Sequence, residues 1–160
     1  MPELITCAAR YKKADTRASV AAPRSVFRNV FPKERSLSES LTRELERARR
    51  ISNLPEDWDG EGARPIDGDV LERALSFVRN HARWFFAEYG EQLDTPSIEP
   101  GPDGSIDVHW ENESYELLVS IPADPTSPST YYGDNYSDAV VKGSFDSTKI
   151  NRGFLLLWKS

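Results

Sequence analysis

Ser105-Ile106-Asp107-Val108-His109-Trp110-Glu111-Asn112-Glu113-Ser114-Tyr115-Glu116-Leu117-Leu118-Val119-Ser120-Ile121 is the stretch whose reading decides the architecture. Residues 105–111 alternate cleanly, with Ile106, Val108 and Trp110 on one side and Asp107, His109 and Glu111 on the other. That is the period of a half-buried strand. Asn112 and Glu113 interrupt the run with turn chemistry, and Tyr115, Leu117, Val119 and Ile121 resume it. A two-residue turn with Glu111 facing Ser114 pairs Trp110 with Tyr115, Val108 with Leu117 and Ile106 with Val119. Both apolar sets then fall on one sheet face. Upstream, Ser97-Ile98-Glu99 leads into Gly101-Pro102-Asp103-Gly104, whose residues preset a tight reversal. Downstream, the turn-rich segment 122–128 precedes two shorter strands, around 130–133 and 139–145. Residues 147–158 read equally as a terminal helix or a strand, and Gly153 weakens the helical reading.

Ahead of the strands the period is helical. Ser36-Leu37-Ser38-Glu39 has the capping-box form, and Leu37, Leu41, Leu45, Ala48 and Ile51 follow as one apolar stripe. Arg47, Arg49 and Arg50 suit the negative end of that helix, which Asn53 and Pro55 close. A second helix starts at Asp67 or Asp69, where Asp69-Val70-Leu71-Glu72 again has the capping-box form. It carries Val70, Leu71, Ala74, Leu75, Phe77, Val78, Ala82, Phe85 and Phe86 inward, with Gly90 as its C′ residue. His81 on this helix reads as an exposed or partly buried histidine rather than a catalytic one. The order predicts an α+β two-layer sandwich, two helices packed on an antiparallel β-meander, with residues 36–160 as one domain. Residues 1–35, rich in Ala, Ser, Arg and Lys, read as a basic arm ahead of it. Its one apolar cluster is Val26, Phe27, Val30 and Phe31.

The formal charge of −6 over 160 residues conceals a split. Residues 1–53 carry 12 Lys and Arg against 6 Asp and Glu, whereas residues 54–160 carry 8 against 20. No Lys or Arg occurs in residues 84–141, which hold twelve acids. A body of that sign repels phosphates, which argues against nucleic-acid binding through it, and it attracts basic surfaces. The longest apolar run, Phe154-Leu155-Leu156-Leu157-Trp158, is far below the roughly 20 residues of a membrane span. The first thirty residues lack a signal-peptide apolar region, which points to a cytoplasmic protein with no membrane partner. Cys7 is the single cysteine, so neither a disulfide framework nor a multi-thiolate metal site can form within the chain.

Two further segments carry a resemblance. Leu54-Pro55-Glu56-Asp57-Trp58-Asp59-Gly60-Glu61-Gly62-Ala63 with Pro65-Ile66, and Pro100-Gly101-Pro102-Asp103-Gly104-Ser105-Ile106 with Trp110, resemble a family of small uncharacterised bacterial proteins. The recurring marks of that family are a W-D-G-x-G-A loop and a P-D-G-x-I hairpin. The resemblance covers residues 37–145 and leaves out the arm. It brings no catalytic residues to carry over. It implies an antitoxin-like protein or an accessory protein of defence or mobile elements.

Asp107, His109 and Glu111 are the sharpest chemical candidates, since a His with two carboxylates is a donor set for a divalent metal. That is the basis of an alternative reading as a small metal-dependent hydrolase or nuclease. The simpler reading is the solvent face of a hairpin, with His109 opposite Glu116 as a cross-strand charge pair. No nucleophile pattern accompanies either histidine, and Gly60-Glu61-Gly62 is too short for a phosphate loop. No catalytic residue, metal ligand or cofactor is therefore assigned. The leading reading is a non-enzymatic interaction module that meets a basic protein, such as a toxin or defence effector, through an acidic sheet face. Its candidate contacts are Trp58, Asp59, Asp107, His109, Glu111, Glu116, Tyr131 and Tyr132. Trp58 reads alternatively as a plug between the helices, and of Tyr131 and Tyr132 one ring points inward and one outward.

Overall fold

In the computed structural model, which describes residues 37–159, helix α1 (Glu39–Ala48) starts at Ser38. Its Oγ accepts the free N–H of Leu41 at 3.0 Å, so the cap falls two residues beyond Ser36. Leu41, Leu45 and Ala48 face inward, and a 3₁₀ turn (Arg49–Asn53) adds Ile51 to the same stripe. Helix α2 (Gly68–Tyr89) takes the earlier of its two candidate caps. Asp67 accepts from the Asp69 amide at 2.8 Å, and Gly90 ends the helix with φ of 70°. The basic arm of residues 1–35, with its Val26–Phe31 cluster, lies outside the described residues.

Five antiparallel strands follow in the order β1 (Ser97–Pro100), β2 (Ile106–Glu111), β3 (Glu116–Ile121), β4 (Ser129–Asp134) and β5 (Val140–Phe145). The architecture is thus an α+β fold with helices on one face of a β-meander. The β2–β3 register differs from the two-residue-turn reading. Trp110 pairs with Leu117, Val108 with Val119 and Ile106 with Ile121. The cause is Asn112. Its Oδ1 accepts both the Ser114 and Tyr115 amides, at 2.7 and 3.0 Å, and its N–H donates to Tyr115 O at 3.0 Å. Residues 112–115 therefore form the turn, and every pairing moves by two positions. An even shift keeps each side chain on its face, so the apolar set stays buried. Tyr115 is released from the ladder to donate its hydroxyl to Asp94, and the Trp110 indole N–H caps Asp94 O at 2.9 Å.

The C-terminal segment is helical: a 3₁₀ turn (Arg152–Phe154) and a short helix α3 (Leu155–Trp158). Phe154, Leu157 and Trp158 recur at i, i+3 and i+4 and are all buried, a helical face that strand alternation would split. Gly153 does not oppose this, because it sits in the first turn, where its amide donates to Asn151 Oδ1 at 3.0 Å. Gly133 on β4 makes the room for α3. A Cβ there would collide with Leu157 and meet Glu116 O at 3.1 Å and Val141 Cγ2 at 3.2 Å. No described helix is long and apolar enough to cross a membrane.

Contrary to the reading as exposed or partly buried, His81 is fully buried at the centre of this layer, with 1% of its surface accessible. Phe77, Phe154 and Trp158 surround its ring at centroid distances of 4.3, 5.8 and 5.9 Å. Asn151 N–H donates to His81 Nε2 at 3.1 Å, so the ring proton is on Nδ1 and donates to Phe77 O at 3.0 Å. Both ring nitrogens are satisfied only in the neutral imidazole. Burial pushes its pKa down to about 4, against the partly offsetting hydrogen bond at Phe77.

The unfolded chain takes up a proton on His81 near pH 6.5, and the folded one only near 4. The His81 contribution is therefore complete above pH 6.5 and is lost as pH falls towards 4, by on the order of 3 kcal/mol in all. Urea melts of wild type and His81→Phe from pH 8 to 4 should show a stability difference that shifts against the wild type across that window; a constant difference would contradict a buried neutral ring. Gly133→Val should cost about 1–3 kcal/mol by overpacking against Leu157. The same melts at neutral pH measure it.

Candidate partner-binding face

The helices cover one side of the sheet, and strand alternation presents the other side in three cross-strand rows. The first runs Glu99, Asp107, Ser120, Thr130 and Ser144; the second Ser97, His109, Leu118, Tyr132 and Lys142; the third Glu111, Glu116, Asp134 and Val140. On the β3–β5 side of this surface are apolar groups that a solvated strand face does not need. Leu118 is 36% exposed, Tyr132 43% and Val140 60%. Tyr136, 52% exposed, is held beside them by the β4–β5 turn, where it adopts φ of 58° and its N–H donates to Asp134 Oδ1 at 2.7 Å. Asn135 Oδ1 braces that turn by accepting the amides of Ser137, Asp138 and Ala139. The Tyr136 phenol titrates above its ordinary range, from desolvation and then from the charges of Glu116, Glu111 and Asp134.

The carboxylates are arranged against one another. Glu111 and Glu116 stand directly opposite, an unfavourable pairing of like charges, and Glu116 continues the row to Asp134. His109 lies opposite Leu118 rather than Glu116, yet its Nε2 reaches Glu116 Oε1 diagonally at 3.0 Å. The expected cross-strand contact forms, by a different geometry, as a hydrogen bond. Asp107, His109 and Glu111 do share one face of β2, but no group of three His, Cys, Asp or Glu side chains among the described residues is placed to hold a metal ion. They are spaced along an extended strand, and His109 turns to Glu116.

The remaining candidates separate from this face. Tyr131 points to the helix side and packs edge-on against Phe154 and Phe145, at 5.1 and 5.8 Å, while Tyr132 points outward. Trp58 and Asp59 lie in the loop between α1 and α2. The Trp58 indole N–H donates to Arg64 O at 3.2 Å, and the half-buried ring shares a cleft with Ile51, Leu54 and Pro100. Asp59 Oδ1 accepts the amides of Glu61 and Ala63, which holds its carboxyl below the usual range; Asp57 Oδ1 accepts from Gly62. Gly60 and Gly62 supply the positive φ these closures require. The loop docks on the β1–β2 turn through Arg64 N–H to Pro102 O at 2.9 Å, so the 54–66 loop and the 100–106 turn touch.

A cleft of about 500 Å³ lies elsewhere, between the N-terminal half of α2 and the loops at Pro125 and Thr148. Glu72 and the terminal nitrogen of Arg73 are engaged internally, while the buried Arg73 Nε has no partner among the described residues. Arg73 donates to Pro122 O and Ala123 O, and Glu72 pairs with Arg79 and Arg49. The sheet face, with its exposed apolar groups beside a row of carboxylates, is the better candidate. Leu118, Val140, Tyr136 and Asp134 were not singled out from the sequence. Leu118 carried a signal, being the out-of-phase member of Leu117-Leu118-Val119. No family model, curated protein or solved structure matches the chain.

Like-charge opposition within the face makes it improvable. Glu111→Lys should stabilise the fold by about 0.2–1 kcal/mol, by replacing repulsion at Glu116 with attraction. The gain should shrink at high salt, and urea melts at two ionic strengths measure both effects.

Proposed function

We propose that this protein is an interaction module that binds a basic partner protein through the outer face of its sheet. The observation that carries the reading is the exposed group Leu118, Tyr132, Tyr136 and Val140, set among Asp107, Glu111, Glu116 and Asp134. An aromatic and aliphatic centre inside a charged surround is the anatomy of an energetically focused interface. The absence of Lys and Arg from residues 84–141 makes the face acidic across β1 to β4, with Lys142 on β5 at its edge, which speeds encounter with a basic surface and disfavours nucleic acid. By the resemblance of the 54–66 loop and the 100–106 turn, we place the partner among toxins or defence effectors and the protein among antitoxin-like or accessory proteins.

Capture by the tagged full chain at low salt tests this. A stoichiometric basic protein should be retained and released by salt. The combined change Asp107→Lys, Glu111→Lys, Glu116→Lys should abolish retention while cooperative melting persists. Tyr132→Ala should weaken the complex by about 2 kcal/mol or more, if Tyr132 is an anchor. Retention unaffected by the charge reversal would sink the proposal.

A further inference from the structure

A strand at the rim of a sheet exposes the backbone N–H and C=O of every second residue, and these must be covered or left for another chain. The two rims of this sheet are treated in opposite ways. On β1 the bond from Gly101 N–H to Ser105 O sets the phase, so the outward-facing positions are Pro96, Ile98 and Pro100. The prolines have no N–H to expose. Ile98 is capped twice: its N–H donates to Glu44 Oε1 at 2.9 Å, and its carbonyl accepts from Arg47 at 2.7 Å. That rim is closed.

On β5 the bond from Asn135 N–H to Ala139 O sets the phase, and the outward-facing positions are Val140, Lys142 and Ser144. All three are exposed, and among the described residues nothing outside the ladder takes their N–H or C=O groups. Alongside, on the helix side, is an open cleft of about 430 Å³ whose apolar surface comes from Tyr131, Phe145 and Ile150, with Lys149 and Arg152 beside it. The charge here reverses. Lys142 on the rim and Lys149 and Arg152 at the cleft stand against Asp146, which Lys149 pairs at 3.2 Å; Lys159 pairs Glu91 at 2.8 Å away from the rim.

We propose that the backbone edge of β5 is a second docking site, adjoining the acidic face and sharing Val140 with it, which takes an extended acidic peptide segment as a sixth antiparallel strand. Its acidic residues exchange backbone hydrogen bonds with Val140, Lys142 and Ser144 and lie beside Lys142 on the outer face. Its intervening apolar residues cover Phe145 and Ile150 in the cleft. Main-chain bonds hold the peptide, and the alternating pockets and charges select it.

The probe is a fluorescent peptide of alternating Glu and Val, titrated into the full chain and read by anisotropy. Saturable binding is expected, with no binding of the peptide that has Lys in place of Glu. In this register the Glu amides face β5 and the Val amides face solvent. N-methylation of the Glu amides should abolish binding, and N-methylation of the Val amides should leave it unchanged; this comparison needs no change to the protein. Ser144→Pro, which removes a rim donor without breaking the ladder, should weaken binding roughly threefold to tenfold. The proposal is overturned if binding does not saturate, if both methylated peptides behave alike, or if the Lys peptide binds as well. It is also overturned if Ser144→Pro instead abolishes self-association of the protein, which would assign the rim to a second copy. The charge reversal on the acidic face should leave peptide binding intact, which separates failure here from failure of the basic-partner reading.

Discussion

The hydrogen bond from Asn151 N–H to His81 Nε2 ties the last segment of the chain to the helix at the centre of the core, and the closed side of the sheet depends on that tie. Helix α1 packs at the β1 rim and α2 across the middle strands, leaving β4 and β5 to be covered by residues that follow them. Phe154, Leu157 and Trp158 do this, with Leu157 entering the space that Gly133 leaves open. A charged imidazole could not accept the Asn151 N–H, so neutrality of His81 is a condition of the packed state. The aromatic layer around it, with Trp110 and Trp158 at 5.6 Å, leaves the two ring nitrogens of His81 dependent on Asn151 N–H and Phe77 O.

Closing one side leaves the other side and the rims as the available surfaces, and they carry opposite chemistry. The outer face holds carboxylates around exposed tyrosines and aliphatic groups. The β1 rim is sealed by prolines and by the Glu44–Arg47 pair, which also joins α1 to the sheet. The β5 rim is open and basic. A partner on the face and a strand on the rim would therefore be selected by charges of opposite sign.

Much of this was legible in the sequence because burial imposes periods. The alternation of residues 106–111 and the stripes of both helices followed directly from which side chains avoid water. The β2–β3 register was not legible, since it turns on whether Asn112 Oδ1 gathers two amides, a local hydrogen-bond choice that either turn length permits by pattern. The faces survived the error because the shift was even. The terminal helix was ambiguous because five consecutive apolar residues suit either period, and Gly153 counts against a helix only in its interior. For the candidate face, Asp107, His109, Glu111, Glu116 and Tyr132 were found from alternation. Tyr136 was not, because its place beside the acids depends on the φ of a turn. Tyr131 and Trp58 show the converse: large rings attract attention in a sequence whether they point out or, as Tyr131 does, into the core.

The most direct measurement is hydroxyl-radical footprinting of the full chain, free and in complex with the basic partner. Oxidation of Leu118, Tyr132 and Tyr136 should fall sharply in the complex while that of Trp58 stays constant. Unchanged oxidation of Tyr132 and Tyr136, with protection at Trp58 instead, would contradict a sheet-face interface and move it to the loop between the helices.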